Sequence, residues 1–131
     1  MSPCWFLLLP LAWAGLNFGI RRGLTAERVV ETADPGELPW QAVRIPTLRG
    51  RQLFGWFIPS ASQAPALVIM HGWGGNAQMM LPLAAPLHAV GYTLLLLDAR
   101  CHGRSDADSF ASLPRFAEDI EAGLDWLVTQ A

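Results

Sequence analysis

The sequence predicts an α/β fold in which a β-hairpin precedes parallel strands that alternate with helices. Val43 and Ile45 alternate with polar residues, and the aromatic-rich stretch 53–58 follows them, which is the pattern of a hairpin. Two continuous apolar runs of strand length come next, residues 66–70 and 92–97, and such runs are typical of strands buried on both faces. Apolar residues at helical spacing follow each run, so the order strand, helix, strand, helix predicts a parallel sheet.

The hairpin is expected to begin the folded domain near Trp40. The stretch 48–51 contains Gly50 and supplies the turn between its two strands. The spacer 59–65 then leads into the run 66–70, which we expect to be a central strand because it is apolar at every position.

Two helices are predicted after these strands. Asn76 is expected to cap the first, whose pattern contains Pro82 and Pro86 and ends at Gly91. The predicted apolar face of the second helix is formed by Phe116, Ile120, Leu124, Leu127 and Val128. Its acidic residues should lie mostly on the opposite face; they are Glu118, Asp119, Glu121 and Asp125.

Composition limits the classes of function. The chain has 131 residues, 52% of them hydrophobic, which is enough for one domain with a buried core. The net charge is -2, and no basic run is longer than Arg21-Arg22, so a nucleic-acid partner is not expected. Cys4 and Cys101 are interpreted as free thiols. The histidines lack zinc-site spacing, so neither a metal nor another cofactor is expected.

The first 22 residues are predicted to be a transmembrane or signal-like segment. Residues 3–20 are almost uncharged and apolar, about the minimum length for crossing a bilayer. The arginines after them favour a single-pass anchor with the domain on the cytoplasmic side. Export by a signal peptide and a hydrophobic helix packed on the domain are the alternatives. Residues 23–39 are interpreted as a connector, and residues 40–131 as the domain.

The loop after the first apolar run is suited to binding a negative charge. Ligands collect at the carboxyl ends of parallel strands, and Gly72, Gly74 and Gly75 lie there, directly between a strand and a helix. Glycines let the backbone turn sharply and direct its N–H groups at one point. Such donors suit the oxyanion of an acyl-transfer transition state.

The loop after the second run, Asp98 to Asp106, is predicted to be a hydrogen-bonded structural turn. Asp98 and Arg100 are expected to brace the chain, and His102 to pack below the first loop. Ser105 lies in Gly-Arg-Ser-Asp-Ala rather than G-x-S-x-G, so it is a poor candidate for a nucleophile.

Together the segments HGWGGNA and DARCHGRSD resemble the α/β-hydrolase superfamily, specifically serine hydrolases with HG-x-G and D-x-R-G-H-G-x-S loops. The resemblance covers residues 40–131 and implies hydrolysis of a small-molecule ester or amide by acyl transfer. It implies that the backbone N–H of Trp73 is an oxyanion-hole donor, with His71, Gly72 and Gly74 shaping its turn, and that Gly103 belongs to the structural loop. Cys101 departs from the pattern, which has glycine there.

The resemblance also implies that this chain covers only the N-terminal portion of the fold. The chain ends before a G-x-S-x-G nucleophile, and in the family's order the catalytic acid and histidine follow the serine. We therefore expect an inactive fragment. Two alternatives remain. Residues 72–77 fit the dinucleotide-binding pattern G-x-G-x-x-A, with Asp98 ending the next strand, and a membrane protein can keep a hydrolase-like scaffold without activity.

Overall fold

The predicted hairpin is present in the computed structural model, which describes residues 5–130. Strand β1 (Gln41–Thr47) pairs antiparallel with strand β2 (Arg51–Ile58), and Ile45 lies opposite Leu53. Residues 48–50 form one turn of 3-10 helix between the strands. Alternation at residues 43–45, the aromatic-rich stretch 53–58 and the turn residues between them therefore located the hairpin.

The sheet is mixed rather than wholly parallel. Strand β3 (Ala66–Met70) pairs parallel with β4 (Thr93–Leu97), and β4 pairs antiparallel with β2, which gives the order β1-β2-β4-β3. The expected central position of β3 is wrong for residues 5–130, because there β3 pairs with β4 alone. Leu67 to Met70 are accordingly half-buried.

Helices cover both faces of the sheet. Helix α2 (Leu81–Ala89) lies on one face and helix α3 (Leu113–Val128) on the other. Side chains alternate along a strand, so Leu94 and Leu96 belong to the core under α2. The next positions along β4, Leu95 and Leu97, belong to the core under α3.

The start of the first predicted helix differs from the expectation. A 3-10 turn at Ala77–Met80 precedes α2. Asn76 makes no side-chain cap; its amide donates instead to the carbonyl of Val29. The carboxylate of Asp98 accepts the hydrogen bond of the Ala77 N–H at 2.7 Å. The cap therefore comes from a residue distant in sequence.

The buried face of α3 also differs from the predicted one. Phe116 and Leu127 are buried, but Leu124 is 49% and Val128 75% exposed. The sheet-facing side includes Asp119, which was expected on the opposite face. Gly123 lies on this side, where an added Cβ would be only 3.2 to 3.4 Å from side chains of β3 and β4. The helix therefore approaches the sheet closely at Gly123, on its buried face.

The predicted membrane-spanning segment is not supported. Residues 3 and 4 lie outside the described part of the chain, and helix α1 spans Trp5–Gly23. Its apolar part, from Trp5 to Ile20, is about 24 Å long, against a hydrocarbon core of roughly 30 Å. No helix within residues 5–130 is long and apolar enough to cross a membrane. The location of the domain, on the cytoplasmic side of a membrane or outside the cell after export, stays a prediction.

Candidate active site

Two loops lie side by side at one edge of the sheet because β3 and β4 are adjacent and parallel. The first loop, His71–Asn76, follows β3, and the second loop, Asp98–Asp106, follows β4. Nε2 of His71 accepts a hydrogen bond from the backbone N–H of Ala99 at 3.1 Å. The two loops are therefore joined where they begin.

The first loop forms a tight turn around Trp73, a residue that is 51% exposed. The N–H of Gly75 donates to the carbonyl of Gly72 at 3.1 Å, which closes a tight turn. Gly74 adopts a positive φ of 73° that favours glycine. Within residues 5–130 the N–H of Trp73 makes no hydrogen bond, so this donor is available to a ligand.

His102 supports this turn from below. Its side chain is fully buried, and its Nε2 accepts the hydrogen bond of the Gly74 N–H at 3.1 Å. Nδ1 lies 2.9 Å from the carbonyl of Arg100 and therefore carries the proton. Because Gly74 is bonded in this way, the turn cannot rotate without losing that bond.

An aromatic cluster surrounds His102. The rings of His71 and Phe116 lie 5.0 Å and 5.3 Å from it, centroid to centroid. The indole of Trp73 stacks on Phe116 at 6.2 Å and remains 51% exposed. Burial lowers the pKa of His71, so the ring is held neutral. The cluster gives the first loop a rigid apolar base and the site an apolar wall.

Asp98 connects the two loops through its carboxylate. One oxygen accepts from the N–H of Ala77 and the other from the N–H of Arg104, both at 2.7 Å. Asp98 is completely buried. Gly103, with a φ of 44°, lies so close that an added Cβ would overlap this carboxylate. Glycine is therefore required at position 103 by space as well as by conformation.

Ser105 is occupied by structural hydrogen bonds. Its hydroxyl donates to the carbonyl of Asp98 at 2.7 Å and accepts from the N–H of Phe54 at 2.8 Å. The residue is 1% exposed. A hydroxyl bonded on both sides and shielded from solvent cannot attack a substrate, so Ser105 fastens the second loop to β2.

Arg100 anchors the second loop to α3. Its Nε and its backbone N–H both donate to the carboxylate of Asp119 at 2.7 Å. Arg100 is 1% exposed and Asp119 is completely buried. Charge-assisted bonds from one residue to both carboxylate oxygens fix orientation as well as distance. The loop is thereby positioned relative to the helix.

Residues 28–33, which we call the strap, pack against both loops although the sequence predicted only a connector there. Arg28 donates to the carbonyls of Gly103 and Ser105 at 3.0 and 2.7 Å. The side-chain oxygen of Gln78 accepts from the N–H groups of Thr32 and Ala33. The strap is therefore bonded to the second loop and to the turn that follows the first.

Glu31 is the buried acidic residue of the strap. Its side chain has no exposed surface, and its carboxylate lies 3.1 Å from Nε of Arg104. Neither oxygen accepts a hydrogen bond within residues 5–130. Burial raises the pKa of Glu31 to about 7, and the adjacent Asp98 carboxyl acts in the same direction. The Arg104 guanidinium acts in the opposite direction and favours the charged form.

Comparison with known proteins identifies the fold that carries this site. An α/β hydrolase of Penicillium aligns with 69% of this chain at 32% identity and a TM-score of 0.62. An esterase of Pyrococcus furiosus aligns with 79% of it at 27% identity and a TM-score of 0.71. The chain belongs to the α/β-hydrolase superfamily. An uncharacterised protein of Mycobacterium tuberculosis is 33% identical over 91 residues, or 68% of this chain. No family model matches the chain.

This α/β-hydrolase chain spans only part of the proteins it resembles. It covers 40% of the Pyrococcus esterase, 32% of the Penicillium hydrolase and 32% of the mycobacterial protein. A polyketide transferase of Aspergillus fumigatus is 37% identical over 67 residues, which are 23% of that protein.

Sequence reasoning placed the two loops but missed three residues that hold them. Asp119 carried a detectable signal, because it lies three positions after Phe116 and four before Gly123 on the buried face of α3. Arg28 and Glu31 lie in a polar stretch without periodicity. Their partners are more than 60 residues away, so no local pattern indicates them.

Proposed function

We propose that this protein takes part in hydrolysis of an ester or amide bond by acyl transfer, and that the first loop supplies the oxyanion hole. The backbone N–H of Trp73 is the donor, and His71, Gly72 and Gly74 shape the turn that presents it. The observation that carries the proposal is that the Trp73 N–H has no acceptor among residues 5–130 while Gly74 is held by His102. A donor that is already oriented stabilises a developing oxyanion without reorganisation.

The nucleophile of this mechanism is not a serine of the given sequence. None of its six serines lies in a G-x-S-x-G segment, and Ser105 is buried and bonded. The serine, its histidine and the acidic residue that orients the histidine are proposed to come from outside the given sequence. On this proposal the given chain alone has no turnover.

The relatives support a broad substrate class rather than one compound. An esterase and polyketide transferases are among them, and both names are compatible with a substrate that presents a carbonyl group. The exposed Trp73 indole beside Phe116 supports an apolar acyl or alkyl group next to the reacting carbon.

The dinucleotide-binding alternative is less favoured by the geometry. It needs Asp98 to bind a ribose hydroxyl, but both oxygens of that carboxylate accept backbone N–H groups and the residue has no exposed surface. It also needs free N–H groups at the glycines, whereas Gly74 and Gly75 are bonded within the protein. The scaffold without activity remains an alternative that the following experiment distinguishes.

Titration with a tetrahedral phosphonate monoester, followed by amide NMR shifts, tests the oxyanion site in the given chain. We expect saturable movement of the Trp73 resonance, with binding in the millimolar range for a single weak subsite. Replacing the Trp73 peptide N–H by an ester oxygen, with the indole retained, removes the donor and its own signal, so the saturable shifts of the neighbouring Gly72 and Gly74 amides should be lost. Sodium chloride at equal ionic strength is the control for general charge effects. Saturable binding that leaves the Trp73 amide unmoved would overturn the proposal, and so would the absence of any response.

A further inference from the structure

We propose that the cavity between the strap and the first loop is a substrate subsite for a short apolar substituent of the reacting carbonyl, with Val30 as a specificity-determining residue. The role of the carbonyl rests on the proposed function, whereas binding of an apolar group in the cavity does not. The strap lies outside the two loop motifs, so they assign no role to this cavity.

The size and lining of the cavity indicate what it can hold. Its volume is about 200 Å³, and its lining includes Val29 and Val30 of the strap and, opposite them, Gly74, Gly75 and Met79. None of the lining residues within residues 5–130 carries a charge. Pockets that hold a whole small ligand are larger, at roughly 300 to 1,000 Å³. The cavity is therefore suited to one uncharged substituent rather than to a complete substrate.

Two amide side chains hold the strap against the loop side of the cavity. Nδ2 of Asn76 donates to the carbonyl of Val29 at 3.0 Å. Oε1 of Gln78 accepts from the N–H groups of Thr32 and Ala33 at 2.7 and 3.0 Å. Because the walls are already fixed to each other, a ligand that enters the cavity does not have to order them, and this favours binding.

Three apolar residues around the cavity are only partly covered. Val30, which lies between the two attached parts of the strap, is 50% exposed, Val29 is 49% exposed and Met79 is 61% exposed. The sulfur of Met79 lies over Gly75, where an added Cβ would come within 2.8 Å of it. Single exposed apolar side chains need no explanation, but several around one concave site are typical of a binding surface. The two valines and Met79 thus supply the surface that an alkyl group would cover.

The cavity adjoins the turn around Trp73. Gly74 lines the cavity and directly follows Trp73 in the chain, and consecutive Cα atoms are only about 3.8 Å apart. The hydrogen bond from the Gly74 N–H to His102 keeps this glycine in place. A carbonyl whose oxygen is bound at the Trp73 N–H therefore needs only a short substituent to reach the cavity.

Titration of the full chain with 1-butanol, followed by side-chain methyl NMR shifts, tests the cavity without an oxyanion. The methyl resonances of Val29, Val30 and Met79 should move saturably, while those of the exposed Val90 at the end of α2 should not. Val30→Phe should weaken binding about tenfold, because roughly two methylene groups of the alcohol lose their place. Val90→Phe is the matched control and should leave binding unchanged. Equal binding in both variants, or no saturable shift at the three lining residues, would overturn the subsite.

Three phosphonate monoesters test whether the cavity serves the reacting carbonyl. The monomethyl ester of methylphosphonate is the reference, and a butyl group replaces the methyl on phosphorus in one analogue and the methyl on oxygen in the other. One butyl compound should bind about tenfold more tightly than the reference or better, since the added methylenes are buried, and Val30→Phe should remove this gain. The compound that gains shows whether the acyl or the alkoxy group enters the cavity.

The two titrations separate failure of the subsite from failure of the proposed function. A shifted Trp73 amide without a gain from either butyl group would overturn the subsite and leave the proposed function standing. Binding of 1-butanol in the cavity without any phosphonate response at Trp73 would overturn the proposed function and the assignment to a reacting carbonyl, while the apolar binding site would stand.

Discussion

Nε2 of His102 accepts the hydrogen bond that the backbone N–H of Gly74 donates, at 3.1 Å. The two residues belong to loops that follow different strands, and this bond sets the orientation of the turn around Trp73. Nδ1 of His102 in turn donates to the carbonyl of Arg100, which fixes the tautomer that leaves Nε2 as an acceptor. If the Trp73 N–H is the oxyanion donor proposed above, its orientation depends on a histidine that is itself buried.

Replacement of His102 by leucine should destabilise the chain by about 1 to 3 kcal/mol, because the Gly74 N–H loses its acceptor. Urea unfolding measures the change. His102→Gln, which offers a side-chain oxygen, should recover part of the loss. His88→Leu is the control, since His88 lies in α2 away from the loops. An equal loss in His102→Leu and His102→Gln would show that ring packing, rather than the bond, matters.

Cys101 should store backbone strain. It adopts a φ of 66°, a left-handed conformation that favours glycine. Its sulfur also accepts a hydrogen bond from the N–H of Asp108 at 3.2 Å. A variant compared with the native cysteine would therefore differ both in this hydrogen bond and in backbone strain. Cys101→Gly and Cys101→Ala both remove the sulfur. We expect the glycine variant to be more stable by about 1 kcal/mol in thermal or urea unfolding, and greater stability of the alanine variant would contradict the strain.

The fold was predictable where local patterns carry it. Alternation indicated β1, aromatic content indicated β2, and continuous apolar runs indicated β3 and β4. The buried face of α3 was not predictable, because the helix has two apolar stripes. One runs through Phe116 and Leu127, and the other runs through Leu124 and Val128. The close approach at Gly123 and the bonds from Arg100 to Asp119 both favour the first stripe, and both are tertiary properties.

The candidate site was predictable for residues that occupy glycine-rich loops after strands. The strap was not, because Arg28 and Glu31 act through partners distant in sequence. The cap of the turn before α2 shows the same limit. Asn76 has the right residue type and position, but the carboxylate of Asp98 reaches the Ala77 N–H instead.

The Arg100–Asp119 pair should show strong coupling in a double-mutant cycle. Arg100→Met leaves the Asp119 carboxylate buried without its cation, and this should cost about 3 to 5 kcal/mol in the free energy of unfolding. Asp119→Leu should cost less, because the Arg100 guanidinium keeps Glu118 and Asp108 as anionic partners. The double variant should lose clearly less than the sum of the two single changes. Additive losses would contradict a direct interaction.

Ser105 should prove structural and not nucleophilic. Its hydroxyl bonds the Asp98 carbonyl and the Phe54 N–H and is shielded from solvent. Ser105→Ala should therefore destabilise the chain by about 1 to 3 kcal/mol, since the buried Phe54 N–H loses its acceptor. Ser62→Ala, at an exposed position of the spacer, is the control and should leave stability unchanged.

The same assignment predicts the reactivity of the purified chain. Neither labelling by a fluorophosphonate nor turnover of short p-nitrophenyl esters should exceed background, because no serine in the sequence lies in a nucleophile turn. Intact mass spectrometry and peptide mapping measure the labelling. A serine-specific adduct at Ser105 that disappears in Ser105→Ala would show that the second loop opens and that its hydroxyl attacks. That result would overturn both the structural role of Ser105 and the proposal that the nucleophile comes from elsewhere.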